Sequence, residues 1–328
     1  MYEDLLAFLL TLGIAAVFTF AMLLFGSFTL GIFQKLRDSK AKVYGPFLEI
    51  FKYTIKQPSE QVTTSVSARR LVLLAWTVCT VSALLFIPYG SFSIMPNIFG
   101  DFQLFAIFGF LMVYPAGLMV LCFVSSRKAS ILNLRFLSED FFSAFITFLL
   151  SMFSLLLIYH GSFNFTHFPS LIEMLGFQSV PFIEIGDFYL NQFFGLLNPL
   201  ALVSFFATLP VIYQPFEFSD GQVSKKWTPL ADFSAGSMAW VKVLGVFRFV
   251  VMIVLLLDVF AGGMQVTSTW YIDVPLFFAC VVLVAVILAF VKLRSGAWLL
   301  DKKLSGFIRV HTIIALAGLV LSIVLVYS

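Results

Sequence analysis

Residues 240–261 read WVKVLGVFRFVVMIVLLLDVFA, an apolar run long enough to cross the hydrocarbon core of a bilayer, interrupted by Lys242, Arg248 and Asp258. Composition decides where such a run lives. Of 328 residues, 61% are hydrophobic and 11% charged, and the mean hydropathy is +1.02, where soluble domains run at roughly 45–50% apolar and about 25% charged. A water-soluble fold is excluded.

Outward from that run, comparable stretches lie near 5–33, 71–88, 103–124, 141–159, 189–213, 274–291 and 308–327. Together they predict an all-α integral membrane protein of about eight transmembrane helices, with residues 1–328 forming a single membrane domain. The chain opens on acidic residues and a run too long for a signal peptide, so the first helix is expected to stay in the mature protein.

The loops alternate in charge. Lys35, Arg37, Lys40, Lys42, Lys52, Lys56, Arg69 and Arg70 separate the first two runs. Arg127, Lys128 and Arg135 follow the third, Lys225 and Lys226 the fifth, and Lys292, Arg294, Lys302 and Lys303 the seventh, while the other three loops contain no Lys or Arg. By the positive-inside rule the basic loops face the cytoplasm and both termini lie outside. Within the first basic loop, Pro46 opens a stretch that repeats Phe47, Ile50, Phe51 and Ile55 at helical spacing opposite Glu49, Lys52 and Lys56. It predicts a short amphipathic helix in the interface, either anchoring the loop or docking a partner.

Several function classes fall away. A net charge of +3, with its basic residues scattered among loops, argues against nucleic acid. Cys79, Cys122 and Cys280 stand far apart inside apolar runs, and His160, His167 and His311 have no ligand spacing, so no metal site is expected. No glycine-rich phosphate loop or nucleophile elbow is present.

The ionisable residues remain. Lys242 either snorkels to the interface or meets a partner, and Arg248, roughly two turns deeper, calls for a partner or a hydrated cavity. Asp258, near the far end, reads as interfacial. Glu139 and Asp140 are placed at the start of the fourth helix, as dipole-favoured caps or as members of a proton relay. Glu217, Asp220 and Asp232 form an acidic group that either works as a proton relay or redox-linked switch, or pairs with Lys225, Lys226 and the basic loop to fix the segment.

Residues 214–236, QPFEFSDGQVSKKWTPLADFSAG, resemble the signature loop of the membrane-anchor subunit of respiratory complex I, of energy-converting membrane-bound hydrogenases and of formate hydrogenlyase. In that family a PFD tripeptide precedes an acidic run, a glycine-containing stretch and EYSG. Pro215-Phe216-Glu217 stands at PFD, Asp220 at the first acid of the run and Asp232-Phe233-Ser234 at EYS; Gln222 and Ser224 stand where two further glutamates would be. Glu49-Ile50-Phe51-Lys52 resembles the family's D-x-I-K-L segment and Ser125-Ser126-Arg127-Lys128 its turn after the third helix, while Lys42-Val43-Tyr44-Gly45-Pro46 matches R-x-G-P with one residue extra. Lys242 and Arg248 resemble the basic positions of the hydrogenase branch.

The resemblance implies a non-catalytic subunit of an oxidoreductase complex in the cytoplasmic membrane, coupling electron transfer to proton or sodium translocation. Soluble iron–sulfur and hydrogenase-like subunits would dock on its basic loops through Arg37, Lys40, Lys42, Glu49, Lys52, Arg127, Lys128, Lys225 and Lys226, with antiporter-like subunits beside it in the bilayer. Iron–sulfur clusters would sit in those partners, none in this chain. In the quinone-reducing version of the family, a quinone would enter between the first helix, the amphipathic helix and the sixth. The rival from a different class is a stand-alone secondary transporter or channel, with Arg248 and the acids of 214–236 lining the path.

Overall fold

The structure, a computed structural model, describes residues 2–37, 41–55, 66–89, 93–95, 99–124, 128–161, 168–185, 188–213, 235–264, 270–295 and 302–327. The chain forms α1 (Tyr2–Arg37), the short α2 (Gly45–Ile55), α3 (Val66–Phe86), α4 (Gln103–Val124) and α5 (Lys128–His160). Then come α6 (Leu171–Gln178), a hairpin of β1 (Pro181–Ile185) and β2 (Phe188–Asn191), α7 (Phe194–Leu197) and α8 (Pro199–Tyr213). It closes with α9 (Ala235–Ala261), α10 (Trp270–Ser295) and α11 (Lys302–Tyr327). Among the described residues seven helices are long and apolar enough to cross a membrane, and apart from the hairpin this is an all-α integral membrane protein.

Hydropathy misplaces two boundaries. The run at 189–213 is not one helix: its first residues pair in β2, and the helix breaks at Asn198 (φ −137, ψ 81) before Pro199. A residue before proline is pushed out of the helical region, whereas proline itself suits the first helical position. The basic segment after α4 is not a loop either, because α5 starts at Lys128 and carries Arg135, Glu139 and Asp140 within it. Hydropathy detects hydrocarbon thickness, and a helix continues past that thickness wherever its residues favour it.

The helices pack around α9, whose residues are buried without a break from Val241 to Phe260. It touches α1, α2, α3, α6, α7, α8 and α10. Between lipid-like surfaces no hydrophobic force draws helices together, so close packing and hydrogen bonds must do it. Gly26 of α1 shows the closeness: a β-carbon there would lie 2.7 Å from Val246 Cγ1 and Val250 Cγ2 of α9. A polar seam fastens α5, α8 and α11. Thr147 and Thr312 hydroxyls meet at 2.7 Å, Ser151 and Ser204 at 2.9 Å, and Asn198 Nδ2 donates to Gly318 O at 2.8 Å and Ser322 Oγ at 2.7 Å. Outward faces stay apolar, as Ile14, Val17 and Phe20 on α1 and Ile313, Leu316 and Val320 on α11 show.

Candidate functional site

The ionisable residues of α9 mark three levels of the buried helix. At its first turns Lys242 Nζ lies 3.2 Å from Glu49 Oε2 of α2, a hydrogen-bonded ion pair whose lysine is almost wholly enclosed and whose glutamate is about one-third exposed. The lysine therefore meets a partner, and the partner is the amphipathic helix. Local chemistry holds α2 in place: Gly45 N donates to Lys42 O at 2.7 Å to close the turn, Pro46 is buried, and the Phe47 and Phe51 rings meet edge-on at 5.1 Å. Gly31 of α1 lets the Val43 backbone come so close that any side chain there would overlap Val43 O. Lys42 itself is exposed, its amine 5.6 Å from the Tyr44 ring.

Roughly 9 Å further along α9, six residues on, comes Arg248. Its guanidinium carbon sits 3.1 Å from the centroid of Tyr114 on α4, and Tyr114 packs in turn on Trp76 of α3 at 4.4 Å. Trp76 Nε1 donates to Val113 O at 3.3 Å, and Gly117 leaves the room in which the indole lies. A cation over an aromatic face gains most where water is excluded, and here the whole cluster is buried. A charge at this depth is expensive unless its surroundings compensate it, and such residues usually mark function.

About 15 Å beyond Arg248 lies Asp258, which is wholly buried. At this level α6 is joined to the backbone of α9. Gln178, the last residue of α6, donates from Nε2 to Met174 O, Asp258 O (3.0 Å) and Val259 O (3.1 Å), while its Oε1 accepts from Phe194 N and Gly262 N, both at 3.1 Å. At the other end of α6, Gln103 Oε1 accepts from Leu171 N at 3.2 Å and Gln103 Nε2 donates to Phe86 O at 2.8 Å. A capping box at Ser170 and Glu173 starts the helix. Tyr89, just past α3, is buried beside this level and donates to Leu84 O at 2.7 Å. Burial, with the nearby Asp258 charge adding to it, holds its phenol well above the usual range.

Of the residues singled out in the sequence, Lys242 and Glu49 are brought together, and Arg248 lies on the same helix two turns on. Glu139 and Asp140 fall about three turns into α5, so they do not cap its start. Arg37 ends α1, Lys52 lies on α2 and Lys128 opens α5. Glu217, Asp220, Asp232, Lys225, Lys226, Lys40 and Arg127 lie outside the described residues. Asp258 is enclosed, contrary to the interfacial reading, and Tyr89 lies beside it. Trp76, Tyr114, Gln103 and Gln178 gave no signal, since an aromatic in an apolar run and a glutamine at the edge of a run or in a loop are unremarkable in a sequence. Among the described residues no group of His, Cys, Asp or Glu is gathered that would hold a metal ion.

A bundle wrapped around one wholly buried, charge-bearing helix defines a multi-pass membrane protein whose interior is polar at chosen points. No protein-family model and no curated protein matches the sequence. The fold does have a match: it resembles a chain of the membrane-bound sulfane sulfur reductase, an archaeal respiratory membrane complex, with a TM-score of 0.70. The alignment covers 95% of this chain and 99% of that one at 16% identity, a likeness of fold from end to end.

Proposed function

We propose that this chain is the membrane-anchor subunit of a respiratory complex of the complex I and membrane-bound hydrogenase type, docking a soluble iron–sulfur arm and coupling its electron transfer to ion movement. The observation that carries the reading is the end-to-end fold match with a chain of the sulfane sulfur reductase complex. The family-like segment at 214–236 and the pinning of α2 to α9 through Glu49 and Lys242 add to it. In this reading the basic loops face the cytoplasm, and Arg37, Lys40, Lys42, Lys52, Arg127, Lys128, Lys225 and Lys226 meet the soluble arm. Glu49 and Lys242 carry its movements onto α9. Glu217, Asp220 and Asp232 then stand where a redox-linked proton change enters, with Arg248 next along α9. Iron–sulfur clusters belong to the partners, and antiporter-like subunits receive the ion-moving stroke.

The form that couples without quinone is favoured by the packing of α1 against the turn before α2. At Gly31 and Val43 the backbones touch, so α1 and the turn before α2 are closed to a quinone at that point.

Purification in mild detergent tests the reading. Soluble subunits bearing CxxC-type cluster motifs are expected to co-purify with the chain, and its isolation as a lone, transport-competent protein would overturn the assignment in favour of a transporter. In the assembled complex, Glu217→Gln and Asp232→Asn are expected to lower ion movement per electron while leaving subunit composition intact. Loss of the assembled complex in both variants would mean that these acids only fix the segment.

A further inference from the structure

We propose that the outward stripe Tyr44, Leu48 and Phe51 of α2 is a binding site for an anionic phospholipid, with the stripe against the acyl chains and Lys35 of α1 attracting the headgroup.

The other sides of α2 are already taken. It touches α1 and α9: the Val43 backbone abuts Gly31, Pro46 is buried, and Glu49 holds Lys242. What remains is Tyr44, Leu48 and Phe51, which are 56, 41 and 52% exposed. Spaced four and three residues apart, they line one side of the helix and of the turn that leads into it.

Depth decides what covers that side. The apolar span of α1 runs to Leu36, and Gly31, where Val43 abuts it, lies about 7.5 Å short of that end. The span of α9 opens at Gly236, and Lys242, where Glu49 meets it, lies about 9 Å inside. Two separate contacts therefore set α2 at the same level, within the roughly 5–10 Å at which an amphipathic helix rests between headgroups and acyl chains. A soluble subunit arriving from beyond the helix ends meets the basic loops first, whereas lipid reaches this level from the side. Tyr44, with an apolar ring and a polar hydroxyl, is the kind of residue that such a boundary favours.

Charge then selects the headgroup. The rim where α1 ends and α3 begins is described over 31–37, 41–55 and 66–70, and it carries Lys35, Arg37, Lys42, Lys52, Arg69 and Arg70. Against them stands Glu49, the one acid among those residues, and Lys242 already holds it. Lys35 is exposed and lies one turn past Gly31 on the same side of α1, the side that meets Val43 next to Tyr44. It is also absent from the set of cations assigned above to the soluble arm. Basic residues beside a membrane surface attract anionic lipid, and a headgroup without net charge gains nothing comparable.

Photocrosslinking tests this. The full chain, with the subunits that accompany it in mild detergent, carries the photoreactive p-benzoylphenylalanine in place of Leu48, or of Phe51 should the first variant not accumulate. It is reconstituted in vesicles of phosphatidylcholine with a minor share of phosphatidylglycerol, irradiated, and read by peptide mass spectrometry. A phospholipid adduct is expected, with phosphatidylglycerol enriched about fivefold over its share in the vesicle. The same probe at Leu283, on the exposed side of α10, is expected to take both lipids in the vesicle proportion. Lys35→Gln is expected to keep the adduct at Leu48 and to lose most of the enrichment. A crosslink from Leu48 to another subunit or to a second copy of the chain would overturn lipid as the occupant. Adducts in the vesicle proportion would overturn selection of the headgroup, and enrichment undiminished in Lys35→Gln would overturn the part given to Lys35.

Discussion

Helices α9 and α11 are similarly apolar in sequence, yet one is wrapped by protein along its whole span and the other turns Ile313, Leu316, Val320 and Val324 outward. The difference is where charge is tolerated. Central α9 carries Lys242, Arg248 and Asp258, whereas α11 has no charged residue beyond Arg309 in its spanning part. Lipid cannot solvate a charge, but a neighbouring carboxylate or aromatic face can compensate it, so ionisable groups collect on the helix that lipid never touches. Hydropathy treats the two runs alike. The charges within α9 are the sign in the sequence that it lies at the centre.

The largest effect expected from breaking this contrast is at Arg248. In Arg248→Glu a carboxylate would face the negative π-surface of Tyr114 in place of a cation, and a buried charge without compensation costs about 3–5 kcal/mol. Thermal unfolding of the detergent-extracted complex should show a loss of that order, and a variant as stable as the parent would mean that the Tyr114 face does not hold the arginine. Next in size is a matched pair of truncations. Leu255→Ala on α9 leaves a void in a closed core and should cost about 2–3 kcal/mol, while Leu316→Ala on α11, where lipid fills the space, should stay below about 1 kcal/mol. Equal losses would contradict the central placement of α9.

Below these comes the polar seam. Asn198→Leu removes the bonds to Gly318 O and Ser322 Oγ that join α8 to α11, along with the local bond from Ala201 N. Hydrogen bonds between membrane helices contribute about 0.6–1.7 kcal/mol each, so a loss of about 1–2 kcal/mol is expected in the same assay. A change within error would assign the fastening of α11 to packing alone.

How much of this was legible beforehand follows the same physics. The spans were readable because about 20 apolar residues have few other uses, and α2 because its apolar positions recur at helical spacing beside Pro46. The break at Asn198 was visible only as a proline, and the start of α5 at Lys128 not at all, since hydropathy is blind to helix beyond the hydrocarbon. At the site, Arg248 and Lys242 were conspicuous because a charge in an apolar run is rare. Their surroundings were not. Tyr114, Trp76 and Glu49 are distant in sequence from the cations they meet, and only folding brings Glu49 within 3.2 Å of Lys242. Gln178 is the extreme case, a loop-region glutamine whose role exists only once α6, α7 and α9 converge on it.

The smallest expected effect is the most specific. Glu49 and Lys242 are nearly two hundred residues apart in sequence, and their contact decides whether α2 moves with α9 or merely lies on the membrane. Because the glutamate is about one-third exposed, solvent and salt screen the pair, and exposed or half-exposed pairs couple by only about 0.2–1 kcal/mol. A single substitution would mix that coupling with the loss of either side chain's packing, so a double-mutant cycle is needed: Glu49→Gln, Lys242→Met and both together, compared by thermal unfolding. The coupling should be near the top of the range, since the lysine end is enclosed, and should shrink as salt is raised from low to high ionic strength. A coupling of zero at low salt would detach α2 from the central helix and remove the link proposed above between a docked partner and α9. A coupling indifferent to salt would instead place the pair deeper than its exposure indicates, with the lysine's enclosure governing both partners.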